Sequence, residues 1–147
     1  MSPVFWTLRA RKMKKIIYSL FCILFGFGLS ACSKGNISHV ATHPVESELY
    51  TEQEINDAIA VIKHEFQNQW NGCTLKEIYY AGDKISQDHQ EWAERNNAED
   101  AIVLLSSFDV DSSGGDGSLN PNSTYDHYMW ILVRDNDDHW QHVDHGY

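Results

Sequence analysis

Apolar positions recur along this chain with two different periods, and the change of period marks where its character changes. Ile55, Ala58, Ile59, Ile62, Phe66 and Trp70 fall three and four residues apart, with Glu54, Asp57, Lys63, Gln67 and Asn68 between them. That spacing predicts a helix that buries one face. Thr51 with Glu54 three residues later reads as a capping box, Tyr50 and Ile55 flank it as a hydrophobic staple, and Gly72 stands where the helix should close.

Beyond Gly72 the helical period stops. Residues 74–81 are rich in β-formers and end at Gly82-Asp83, residues 101–108 form an apolar run of strand length, and residues 125–134 alternate. Strict alternation there sets Tyr125, His127, Met129, Ile131 and Val133 against Asp126, Tyr128, Trp130, Leu132 and Arg134. Residues 135–138 read as a turn and 139–147 as a closing strand. Residues 86–96 are ambiguous, with a short polar helix that tucks Trp92 inward as one reading. One long helix followed by about four strands predicts an α+β domain over residues 50–147, with the helix leading and packed on a curved antiparallel sheet.

The segment before this domain has another character. Lys14-Lys15 precede a run of mostly apolar residues from Ile16 to Gly28, and Leu29-Ser30-Ala31-Cys32 follows, which is the order of a secretory signal. The apolar window is shorter than the roughly 20 residues of a membrane span. Leu29-Ser30-Ala31-Cys32 resembles the lipobox of bacterial lipoproteins, and that resemblance implies lipidation of Cys32 and cleavage before it. Residues 1–31 are then the signal peptide. Met13 offers a second start, which would make residues 1–12 an upstream extension. Residues 32–49, polar and broken by Gly35 and Pro44, read as the lipidated Cys and a flexible tether.

Separating these parts changes the charge. The whole chain carries a net -10, but the five basic residues of the first 31 leave with the signal. Six of the 11 Lys and Arg then face all 21 Asp and Glu, a net charge of -15. Such a surface repels phosphate backbones and anionic headgroups, which excludes nucleic acid as a partner and leaves cationic ligands and divalent metals. With Cys22 removed and Cys32 lipidated, Cys73 has no intramolecular partner and reads as a small buried hydrophobe.

Residues 108–118, the strand Trp130-Ile131-Leu132-Val133-Arg134, and the ending Trp140 with Asp144-His145-Gly146-Tyr147 resemble a domain of uncharacterised lipoproteins and surface proteins of Gram-positive bacteria. The order of helix then strand meander is similar to the cystatin-like and nuclear-transport-factor-2-like superfolds. The resemblance implies a fold and an extracytoplasmic, membrane-anchored habitat, and brings no catalytic motif with it.

Three sets of residues carry candidate chemistry. In the loop 109–120, Asp109, Asp111, Ser113 and Gly115 take the spacing of a calcium loop, although Asn120 stands where a bidentate carboxylate belongs. Tyr125, His127, Trp130 and Trp140 could line a concave sheet face as ligand-binding residues, or fill the core instead. Of His139, His142 and His145, strict alternation turns His142 away from the other two and separates these by about 20 Å, so they form no site by themselves, and a transition-metal site would need His127 or His89 from a neighbouring element. No nucleophile motif is present and no catalytic residue is assigned. The expected function is a membrane-anchored extracytoplasmic lipoprotein, non-enzymatic, binding an envelope protein or small ligand. A calcium-binding module and a hydrolase with an unrecognised site are the alternatives.

Overall fold

The long helix forms where its stripe and cap place it. In the computed structural model, which describes residues 34–44, 46–135 and 139–147, α1 spans Glu52–Gln69. Thr51 N donates to Glu54 Oε2 at 2.7 Å and Glu54 N donates to Thr51 Oγ1 at 3.3 Å, closing the capping box. Ile55, Ala58, Ile59, Ile62 and Phe66 form its buried face, where each full-sized apolar side chain contributes about 1.5–3 kcal/mol. The signal peptide, Cys32 and most of the expected turn at 135–138 lie outside the described residues. No helix among the described residues is long and apolar enough to cross a membrane.

Strands β1 (Cys73–Tyr80), β2 (Asp100–Val110), β3 (Thr124–Arg134) and β4 (Trp140–Gly146) pair antiparallel in the order β1-β2-β3-β4. The molecule is therefore α+β, with a four-stranded sheet. On the sheet face toward α1, Leu75, Ile78, Ile102, Leu104, Phe108, Trp130 and Leu132 join the helix stripe in one core. The ambiguous stretch 86–96 is covered by two short helices, α2 (Asp83–Gln87) and α3 (Glu91–Arg95). They lie toward the opposite face, where Trp92 packs against Ala93, Ala101 and Val133. These helices also complete the sheet's hydrogen bonding where β1 ends at Tyr80. Ser86 Oγ accepts from Val103 N at 3.0 Å, and Gln90 bonds both the N–H and the carbonyl of Ala101.

Each neighbouring pair of strands carries one extra residue. Leu75 and Ile78 of β1 oppose Phe108 and Ser106 of β2. Tyr125 and Tyr128 of β3 oppose Phe108 and Ser106. His142 and His145 of β4 oppose Leu132 and Trp130 of β3. In each case residues three apart share a face, as a β-bulge dictates. The strict alternation expected for residues 125–134 is thus broken: Tyr125 joins Tyr128 and Trp130 against the core, while His127, with φ +56°, is exposed at the bulge.

Part of the stretch expected as a tether runs beside β1. Asn36 and Ala41 bridge Thr74 and Glu77 in parallel fashion, and Ile37 and Val40 pack on the core. Gly35 approaches α1 so closely that a Cβ would stand 2.1 Å from Phe66 O. The bridges and the Gly35 approach are backbone contacts, and only the two apolar side chains Ile37 and Val40 add to them, so the mostly polar segment did not announce its docking.

Candidate functional site

The bulge in β4 decides the chemistry of the site. With Asp144 opposite Ile131 and His142 opposite Leu132, Val143 is the additional residue, and it packs on the far face with Ala101 and Val133. His142 and His145 therefore both face α1, which corrects the expectation that they point apart. Their rings lie 5.1 Å apart and nearly parallel, and His145 Nδ1 is 3.3 Å from His142 Nε2. Glu65 of α1 completes the group, with Oε2 at 2.7 Å from His142 Nδ1. The other ring nitrogen, Nε2, also lies 3.0 Å from the carbonyl of Asp144. These are the residues among those described whose ligand atoms, one from each, all lie within 4.8 Å of one another. Burial and the neighbouring His142 ring hold the His145 imidazole below the usual histidine range, against the opposing pull of Glu65 and Asp144.

Beside this group lies a cleft of about 200 Å³, walled by Glu65, Gln69, Trp70 and Asn71 at the end of α1, by Tyr128 and His145 from the sheet, and by Asp116, Ser118 and Leu119 from the β2–β3 loop. Trp70 is the helix C-cap, and its ring packs 4.9 Å from Trp130, 5.6 Å from Tyr128 and 5.2 Å from His145. The wall is thus fixed by aromatic packing. The loop is folded on itself: Asp111 Oδ1 accepts from Ser113 N at 2.8 Å and Oγ at 2.5 Å, and Asp116 Oδ1 accepts from Ser118 N at 3.0 Å. The Ser113 hydroxyl and N–H hold the Asp111 carboxyl, and the Ser118 hydroxyl and N–H hold the Asp116 carboxyl, below the ordinary carboxylate range. Gly72, at φ +71°, passes so near that a Cβ would stand 2.6 Å from Ser113 Oγ.

The sequence-predicted residues are distributed differently. Asp109 lies on β2, its Oδ1 accepting from Thr124 at 2.8 Å and its Oδ2 3.2 Å from Lys76 Nζ. Asp111 and Ser113 bond one another, and Gly115 lines the cleft. Trp130 is fully buried and donates to Ser106 Oγ at 2.8 Å, while Trp140 donates to Glu54 O at 2.9 Å. Tyr125 stacks on Phe108, with centroids 5.1 Å apart. Of the aromatic face, Tyr128 reaches the cleft, together with Trp70 from the helix. Sequence reasoning missed Glu65, Trp70, Tyr128 and the shared face of His142 and His145. The usable signal for Tyr128 was Asp126-His127, a polar pair between two tyrosines three apart.

No Lys or Arg among the described residues lines the cleft, whereas Glu65 and Asp116 do. The arrangement suits a small cation held by carboxylates and aromatic faces. Comparison with protein-family models, with curated proteins and with solved structures returns no match to this chain.

Proposed function

We propose that this protein is a lipid-anchored, extracytoplasmic binding module that takes a small cationic ligand in the cleft between the end of α1, the sheet and the β2–β3 loop. The observation that carries the reading is the cleft's lining: the carboxylates of Glu65 and Asp116 and the rings of Trp70 and Tyr128, with no Lys or Arg among the described residues. An organic cation seated there would meet Trp70 and Tyr128 as cation–π partners, and Glu65 and Asp116 as counter-charges. The strong net negative charge outside the signal segment would raise the local concentration of such ligands. Anchoring rests on Lys14-Lys15, the apolar run and Leu29-Ser30-Ala31-Cys32. The order of α1 followed by the β1–β4 meander supports a cystatin-like or nuclear-transport-factor-2-like fold.

The test uses a matched pair of probes, choline and its neutral isostere 3,3-dimethyl-1-butanol, titrated into the full chain in a non-ionic detergent. Indole resonances report the outcome. Choline should shift the Trp70 N–H signal saturably and the neutral probe should not. Equal shifts with both, or none with either, would refute the cationic cleft. For the anchor, Cys32→Ala should release the protein from the membrane fraction, and retention there would refute the lipobox.

A further inference from the structure

We propose that Glu65, His142 and His145 form a binding site for a divalent transition-metal ion of the zinc type. The donor set is one carboxylate and two imidazoles, which zinc accepts as three protein ligands while keeping a fourth position open. The spacing fits as well. Ligands at about 2.0–2.1 Å from a tetrahedral ion stand roughly 3.3–3.4 Å from each other, and His145 Nδ1 lies 3.3 Å from His142 Nε2. One ligand atom from each of the three residues lies within 4.8 Å of those of the others; Glu65 Oε2 stands beside His142 Nδ1, so the Glu65 side chain must swing toward Nε2 to share one ion with the two imidazoles.

The placement of the ligands is built into the fold. Glu65 sits on the 18-residue helix and the two histidines on the outer strand, brought to one face by the bulge at Val143. Trp130 lies 5.3 Å from both imidazole rings, which restricts their rotation. Glu65 and His145 also line the cleft, and no Lys or Arg stands beside them there among the described residues. The open coordination position would thus face the cleft, where an added ligand atom or water could complete the tetrahedron. This last point rests on the cleft being the binding site, whereas the three-ligand site itself stands independently.

The experiment strips the full chain with a chelator and titrates it with Zn2+ by calorimetry, then with Co2+ by visible absorption. One ion per chain is expected, with the intense absorption of tetrahedral Co2+, and neither Mg2+ nor Ca2+ should compete. Glu65→Gln, His142→Gln and His145→Gln should each weaken binding at least tenfold, with circular dichroism unchanged. Absence of Zn2+ binding, a weak octahedral Co2+ spectrum, or affinity that survives all three substitutions would overturn the site. The Co2+ spectrum is read on the unsubstituted protein, so it decides even if a variant fails to fold. Absence of metal binding by the unsubstituted protein, with its choline response present, refutes the metal site alone, and the converse refutes the cationic cleft alone.

Discussion

Replacing Glu54 by Gln should convert a pH-dependent part of the stability into a pH-independent one. Glu54 sits at the third position of α1, where its carboxylate accepts from Thr51 N and pairs with Arg134. The Arg134 guanidinium also pairs with Asp100 at 3.0 Å and lies 4.7 Å from the centre of the Trp140 ring. The Thr51 backbone bond first, and then Arg134, hold the Glu54 carboxyl at about 2 instead of 4.5. Taken at full value, that depression corresponds to about 3 kcal/mol of folding free energy. The Glu54 side chain is 30% exposed, so solvent screening reduces this to about 1–2 kcal/mol. Because the folded-state pKa is the lower one, the contribution is present above pH 4.5 and disappears as pH falls toward 2. Urea unfolding of the unsubstituted protein and Glu54→Gln at several pH values between 7 and 2.5 measures the difference. It should be about 1–2 kcal/mol at neutral pH and shrink steadily in acid. Other carboxylates titrate in both proteins and largely cancel, except Asp100, which shares Arg134 and is coupled. A difference that stays constant from neutral to acid pH would refute the charge argument, and so would no difference at neutral pH.

Two further outcomes follow from particular contacts. Gly72→Ala should destabilise the fold by about 1–3 kcal/mol, because Gly72 combines φ +71° with a Cβ position 2.6 Å from Ser113 Oγ. Gly117→Ala has φ +94° and open space around the new methyl, so its loss of melting temperature should be smaller, and equal losses would contradict the steric argument. Burial, with Asp111 and Asp116 adding to it, pushes the Cys73 thiol up to about 11, so iodoacetamide should modify Cys73 only once urea unfolds the chain. Peptide mapping that finds native-state labelling at Cys73 would disprove its protection.

The parts of the fold that were legible are those whose signals are local. The capping box, the staple and the stripe from Ile55 to Phe66 all lie within one stretch of chain, and the helix they indicate is α1. The order of four antiparallel strands was legible because strands consecutive in sequence usually pair, here even across the long β1–β2 and β2–β3 connections. Gly35 was misread for the opposite reason. A glycine in a polar stretch signals a break, yet here it permits close approach to α1, and the partner, Phe66 O, is distant in sequence.

The candidate site was hidden by the same kind of non-local information, acting through register. A strand's alternation predicts its faces only while every residue has one partner, and a bulge adds a residue without adding a partner. In β1 and β3 the inserted step falls at polar pairs, Lys76-Glu77 and Asp126-His127, between apolar or aromatic residues three apart. In β4 the corresponding pair is Val143-Asp144, and its apolar member finds a second apolar cluster on the far face of the sheet. Nothing in the residues themselves distinguishes that from ordinary alternation. The register with β3 does, because Trp130 opposite His145 and Leu132 opposite His142 require both histidines to face α1. Once they do, Glu65 of the helix lies within hydrogen-bonding distance of His142, and a chain whose histidines looked scattered by strand geometry holds three metal-type ligands at one edge of an acidic, aromatic cleft.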